Sequence, residues 1–322
     1  MSRRPNPLST FIARSGVMAL TSLWTASATY ASGVTSGAFA FVEPGIRATA
    51  LGGTGVADPR GAEALSWNPA ALAFFRLHHL DVSYADLHGL GLVHHMHAGI
   101  TAPLGKLGAG GLEVRYHGVD GFDREEREGA PEEPTYREIS YAYSYANQAG
   151  PLAFGLTARL ETARGTLESD NDASATGGSL DLGLMWNFTP RARIGVLARN
   201  AAGAIWWQGS SGSERPPLAT ILGLAIRDVG FPGIRWLVDV ETGEERAGGP
   251  VRGVRRISSG LEWVAFDDRL SLRAGSALRD ENRLVLTGGF GILTDGLTAA
   301  YALRLDPDAL GTTHQFGVGL DW

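Results

Sequence analysis

Residues 313–322, "THQFGVGLDW", decide the fold. Phe316, Val318, Leu320 and Trp322 fall on alternate positions, with Gln315, Gly317, Gly319 and Asp321 between them. An ordinary domain frays into a polar tail at its end; this chain stops on a strand with one apolar face and a terminal tryptophan. The period of two continues upstream. "LEVRY" sets Leu112, Val114 and Tyr116 against Glu113 and Arg115, and "LDLGLMWNF" sets Leu180, Leu182, Leu184, Trp186 and Phe188 against Asp181, Gly183, Met185 and Asn187. "EISYAYSYA" and "IRWLVDVE" repeat the pattern. Such alternation marks strands with one apolar and one polar face.

About fourteen such strands are expected. They lie near 77–86, 91–102, 107–117, 135–148, 151–162, 178–189 and 191–200, then 218–229, 233–242, 254–266, 269–279, 283–293, 297–305 and 313–322. Many run about ten residues, the length that crosses a bilayer at a tilt. The connections between them alternate. "PLGK", "QAGP", "TPRA", "GFPG", "FDD" and "TDG" are tight turns, whereas "VDGFDREEREGAPEEP", "GSSGSERPP" and "GEERAGGPVRG" are long and polar. Short turns on one side and loops on the other describe an all-β fold, a transmembrane antiparallel outer-membrane β-barrel. Hydrocarbon tolerates no unpaired backbone amide, so such a sheet must close on itself and the last strand must pair with the first. The face of Phe316, Val318, Leu320 and Trp322 then meets lipid and resembles the terminal signal that outer-membrane assembly machinery reads.

If apolar positions face lipid, the alternate ones line the lumen. That places Glu113, Arg115, Arg159, Glu161, Asp181, Arg199, Arg227, Arg235, Asp239, Glu241, Glu262, Arg273 and Asp321 inside, as ion-pair networks or as a selective channel lining. Glycine, 44 of 322 residues, is about twice as frequent as usual. Many glycines fall on the inward face, leaving room for something inside.

Bulk composition narrows the function. With no cysteine there is neither a disulfide framework nor a thiolate metal site. The net charge of -6 and pI near 5.8 argue against a nucleic-acid surface. Mean hydropathy, -0.04, would flag no membrane protein. Arg3, Arg4 and Arg14 precede the apolar stretch 16–28, which ends in small residues, "TASATYASG". This is the pattern of an export signal, residues 1–28, cleaved after Ala28 or Ala31. Residues 29–76 do not alternate and are expected to form a hatch inside the barrel of residues 77–322. In that segment "NPAAL" offers an asparagine cap with proline at the first helical position.

Within it, Gly45-Ile46-Arg47-Ala48, Ala50-Leu51-Gly52-Gly53 and Ala64-Leu65-Ser66-Trp67-Asn68-Pro69-Ala70 resemble the N-terminal signature of FadL-like outer-membrane proteins, closest in the Trp-Asn-Pro-Ala form to the PorV/PorQ branch. The resemblance implies a fourteen-stranded barrel with a lumenal hatch. It implies movement of a hydrophobic small molecule through that hatch and a lateral gap in the wall. The alternatives are a type IX secretion adaptor that binds secretion-system proteins, or a structural barrel. On this reading Arg47, Gly52, Gly53, Trp67, Asn68 and Pro69 belong to the hatch, as packing residues or ligand lining.

Six of the eight histidines fall within residues 78–97. A hairpin through Leu87–Gly91 could bring His79, Asp81, His95 and His97 together inside the wall, as polar filling or as a divalent-metal site. No nucleophile motif such as G-x-S-x-G occurs, and no enzymatic activity or cofactor is expected.

Overall fold

The computed structural model describes residues 44–119, 136–166, 172–209, 211–244, 251–279, 283–307 and 311–322. The expected export signal and the first residues of the hatch lie outside these. Fourteen antiparallel strands form a closed barrel. β1 spans His79–Leu87, β2 Val93–Pro103, β3 Ala109–Val119, β4 Tyr136–Ala149 and β5 Leu152–Thr166. β6 spans Asp172–Thr189 and β7 Ala192–Trp207; the two-residue β8, Ser213–Glu214, pairs only with the outer end of β7. β9 spans Ala219–Arg227, β10 Ile234–Glu244, β11 Val251–Ala265 and β12 Leu270–Arg279. β13 Arg283–Thr294, β14 Leu297–Leu305 and β15 Thr313–Asp321 complete the ring.

The ending closes the sheet. β15 pairs with β1 from His79↔Asp321 to Asp86↔His314. Beyond that register His78 and Trp322 exchange backbone hydrogen bonds of 3.0 and 3.2 Å, and their rings stack at 5.3 Å. Every strand of the fourteen-strand ring therefore has a neighbour on both sides, which the hydrocarbon demands. Among the described residues no helix is long and apolar enough to cross a membrane; the strands cross. Phe316, Val318 and Leu320 point outward with Leu112, Tyr143, Leu182, Trp186, Leu261 and Leu286, an exposed apolar belt that only a bilayer can cover.

Loop lengths sort as the alternation predicts. At one end, the turn end, connections run from two to six residues; at the other, the loop end, they run from three to sixteen. One of the three two-residue turns shows why its residues were chosen. Asp295 and Gly296 both take positive φ, 50° and 83°, the pair of left-handed conformations that matches strand twist in a two-residue hairpin.

The family resemblance implies a lateral gap in the wall; among the described residues the wall is continuous. β3 is paired in register with β2 and β4 along its whole length. Irregularities occur between β6 and β7 and between β10 and β11, where the register shifts without breaking the pairing. At the first, Asn200 takes φ 53°, its amide donates to Asp181 Oδ1 at 2.7 Å and its side chain to Pro217 O at 3.0 Å. The bulge bends the wall and is sealed by its own side chains.

Candidate functional site

Residues 44–75 thread through the lumen as a plug. Helix α1, Ile46–Ala50, packs on β12 to β15, and Gly52 and Gly53 stop it, both at φ 77°. Gly53 N donates to Ala48 O at 2.8 Å, the left-handed helix end that favours glycine. Gly52 also lies where a Cβ would come within 2.5 Å of Ser276 O on β12. A 3-10 turn, Gly61–Glu63, leads into α2, Ala64–Trp67. Asn68 then caps a second 3-10 turn, Pro69–Phe74: its Oδ1 accepts from Ala70 N at 3.1 Å and Pro69 takes the first position. The expected cap is present, although the turn is 3-10 rather than α.

The Trp-Asn-Pro stretch ties the plug to itself and to the wall. Trp67 Nε1 donates to Pro44 O at 2.7 Å, and Asn68 Nδ2 donates to Val56 O at 2.8 Å and to Leu184 O of β6 at 3.2 Å. Both side chains are fully enclosed. Gly52, Gly53, Trp67, Asn68 and Pro69 are therefore packing residues of the plug. The inward wall glycines explain themselves here. A Cβ on Gly260 would come within 2.6 Å of Leu51 O, one on Gly99 within 2.7 Å of Ala62 Cβ, and one on Gly289 within 2.7 Å of Ala50 Cβ. Gly155, Gly195 and Gly275 likewise leave no space between wall and plug backbone.

Charge fastens what packing seats. Arg47 reaches Glu262 of β11 through two hydrogen bonds, 3.0 and 2.8 Å, and Asp58 through its carbonyl at 2.6 Å and its carboxylate at 3.3 Å. Glu262, with no exposed side chain, also accepts from Arg235 at 3.2 Å and Arg273 at 2.9 Å. Asp58 accepts from Arg193 at 3.1 Å and Arg227 at 2.8 Å. Asp239 of β10 receives Gly55 N and Val56 N at 2.8 and 3.0 Å, and Glu113 of β3 receives Ser66 and His97. Arg159–Asp181 and Arg256–Glu241, each 3.0 Å, join neighbouring strands on the lumenal face of the wall. The lumenal charges thus pair into networks rather than lining an open channel. Losing one partner of a buried pair costs about 3–5 kcal/mol, so these contacts hold the plug firmly. Glu63, on the plug rather than on a crossing strand, is buried beside Arg47, whose amide donates to it at 2.8 Å. Burial pushes its carboxyl up to about 7.

A cavity of about 300 Å³ lies beside the plug, toward the turn end. Its body is Ile46, Phe75, Ala300, Gly291 and Gly317, backed by β13, β14, β15 and β1; Arg47, Glu63, Asp81 and Arg273 stand around it. Of the sequence-derived hatch residues, Arg47 alone lines it. Asp58, Glu63 and Ser66 had no sequence signal, because their partners lie far along the chain.

The proposed gathering of histidines does not form. The hairpin pairs His97 with Ser83 and His95 with Ala85, while Asp81 faces Gly99 and His79 faces Thr101. His79 bonds Asp321 at 2.5 Å, Asp81 accepts from Ala62 N at 2.5 Å, His97 pairs with Glu113 at 2.9 Å, and His95 lies against His117 with ring centroids 6.2 Å apart. Each of the four thus has its own nearest partner, although His79, Asp81 and His97 line one cavity. Among the described residues no three His, Asp or Glu side chains could hold a metal ion together.

No protein-family model matches the chain, and no curated protein matches its sequence. Solved structures do match in fold. The deltaS2S3 mutant of the monoaromatic hydrocarbon channel TodX superposes with a TM-score of 0.61 at 16% identity, over 88% of this chain and 99% of that one. The Pseudomonas putida toluene transporter TodX gives 0.60 at 13% identity, over 86% and 96%. A Pseudomonas aeruginosa FadL homologue gives 0.59 at 14% identity, over 86% and 97%. The likeness is one of architecture: this chain has a FadL-like barrel.

Proposed function

We propose that the protein carries small hydrophobic molecules across the bacterial outer membrane. The observation that supports this most is the cavity of about 300 Å³ between plug and wall, whose body is apolar and whose back is built from small residues. A void half that size lined by apolar side chains accommodates benzene, so a single ring with a short side chain fits. The fold neighbours that carry toluene and other monoaromatic hydrocarbons agree with that size. On this reading the turn end faces the periplasm, the loops face outward, the N-terminal signal directs export, and the terminal strand is read by the barrel assembly machinery. The Trp67-Asn68-Pro69-Ala70 stretch supports a place for the chain in the PorV/PorQ branch of the FadL-like barrels.

Whole-cell uptake tests the reading. Cells lacking their own hydrocarbon channels should take up a labelled alkylbenzene several-fold faster when they make this protein. Ala300→Phe, which fills the cavity from β14, should return uptake to background at equal barrel abundance. Equal uptake by both forms would remove the transport role. A second reading, a secretion adaptor that binds protein partners through its loops, draws on the tightness of the plug. It expects captured partners in cross-linking from intact cells and no change on Ala300→Phe.

A further inference from the structure

The outward face of the wall carries a pair of cations with no counter-charge. Arg137 on β4 and Arg164 on β5 stand directly opposite each other in register, which sets their Cβ atoms about 4.5–5.5 Å apart. Both are exposed, on the same face as Tyr141, Tyr143, Leu156 and Leu160. Among the described residues neither meets a carboxylate. Glu138 and Glu161, close by in sequence, fall on the lumenal positions of the same strands. Asp86, the carboxylate of the same row, is three strands from Arg137, about 14 Å at the usual strand spacing. Like charges directly opposite each other destabilise a sheet, so the pair calls for an anion. A phenol stands beside it. Gly118 of β3 is the other neighbour of Arg137, and the Tyr116 ring leans over it toward the loop end, so that a Cβ there would come within 2.5 Å of the Tyr116 hydroxyl. That hydroxyl has no partner among the described residues.

Height on the wall says what the anion is attached to. From Leu152 to Arg164 the strand runs about 40 Å along its length and, at a tilt of about 40°, climbs roughly 30 Å. The apolar band of such a barrel is about 25 Å tall, so Arg164 stands just beyond it. The row below agrees. It runs Tyr116, Ile139, Thr162, Thr176, Trp206 across five strands, with an aromatic at each end, as at a membrane–water boundary. Resting on the orientation in which the loops face outward, we infer that Tyr116, Arg137 and Arg164 bind the phosphate of an acidic lipid in the outer leaflet. Each guanidinium offers phosphate a planar fork of donors, and the phenol adds a neutral one. The acyl chains of that lipid lie along Tyr141, Leu160 and Leu156 below. Free phosphate meets the same charges without that apolar contact, at an exposed site where salt screens it.

Native mass spectrometry of the full chain, released from micelles, tests this. The probes are an acylated diglucosamine bisphosphate, the same lipid without its phosphates, and inorganic phosphate, at equal concentration. The bisphosphate should be retained roughly tenfold more than the dephosphorylated lipid, and inorganic phosphate should not displace it. Arg137→Gln with Arg164→Gln should remove that preference while leaving the heat-modifiable mobility unchanged. Tyr116→Phe, which takes away one hydroxyl and no charge, should lower retention about threefold. Arg191→Gln, an equal loss of charge on an exposed side chain at the turn end, should change nothing. Displacement by inorganic phosphate, equal retention of the two lipids, or a preference that survives the double substitution overturns the inference. The last is also the result if the acidic residues 123–133 occupy the arginines instead. Hydrocarbon uptake by cells without lipid retention leaves transport standing and removes this site, whereas retention without uptake does the reverse.

Discussion

Gly260 shows how little freedom a wall residue has. Its missing side chain is the space that Leu51 occupies, with the Leu51 carbonyl 2.6 Å from where a Cβ would be. Gly260→Val should destabilise the folded barrel by about 1–3 kcal/mol, the usual penalty of overpacking, and expose the plug to protease. Gly288→Val, where the nearest atom would be 3.7 Å away, should leave both unchanged. Thermal unfolding and limited proteolysis of the two variants would show the contrast. Glu63 makes a second prediction. Its folded value, about 7, lies above the ordinary value of 4.5, so it favours docking of the plug most below pH 4.5. That contribution, of order 3 kcal/mol by the linkage between pKa and free energy, is lost as pH rises through 7. Thermal midpoints should therefore fall between pH 5 and 8, and Glu63→Gln should flatten the profile.

At the scale of an element, what the sequence disclosed follows from what a strand must satisfy. Each crossing residue meets either oil or the interior, so Leu180, Leu182, Leu184, Trp186 and Phe188 announce β6 without any tertiary knowledge. Leu261, outward on β11, tests that division: Leu261→Arg should cost about 2–4 kcal/mol near the bilayer midplane and lower the temperature at which the barrel loses its compact electrophoretic mobility. Removing the residues from Phe316 onward should prevent closure altogether, read as absence of the heat-modifiable band. The far part of β7 was not foreseen, because Ala201–Trp207, past the register shift, continues beside β6 and β8 without strict alternation. The histidines misled for a related reason. Residue type and rough proximity were right, but each side chain takes another partner: His97 Glu113, Asp81 the Ala62 amide and His79 Asp321.

For the whole molecule, the plug is the part whose course sequence alone could not supply. Its segments are too short to carry a period, and their positions are fixed by partners as distant as Arg47 and Glu262, 215 residues apart. The cap at Asn68 and the glycine pair after α1 were legible because they act locally; Asp58 and Glu63 were not. With wall and plug joined at Glu262, Asp58, Asp239 and Glu113, planar-bilayer recordings of the intact protein should show no steady ionic current. Arg47→Met should bring intermittent openings, since it takes the plug's own cation from Glu262 while leaving the wall arginines in place. Sustained porin-like current from the unaltered chain would contradict the filled lumen.

The same seating carries a consequence for time. The plug touches walls on every side, so it cannot slip into a finished ring of this bore. It precedes β1 in the chain, and its first helix rests on the staves that arrive last, β12 to β15. The folding polypeptide must therefore wrap around its own beginning, as a barrel is raised about a form, and the closing hairpin locks in place a core that was there before it.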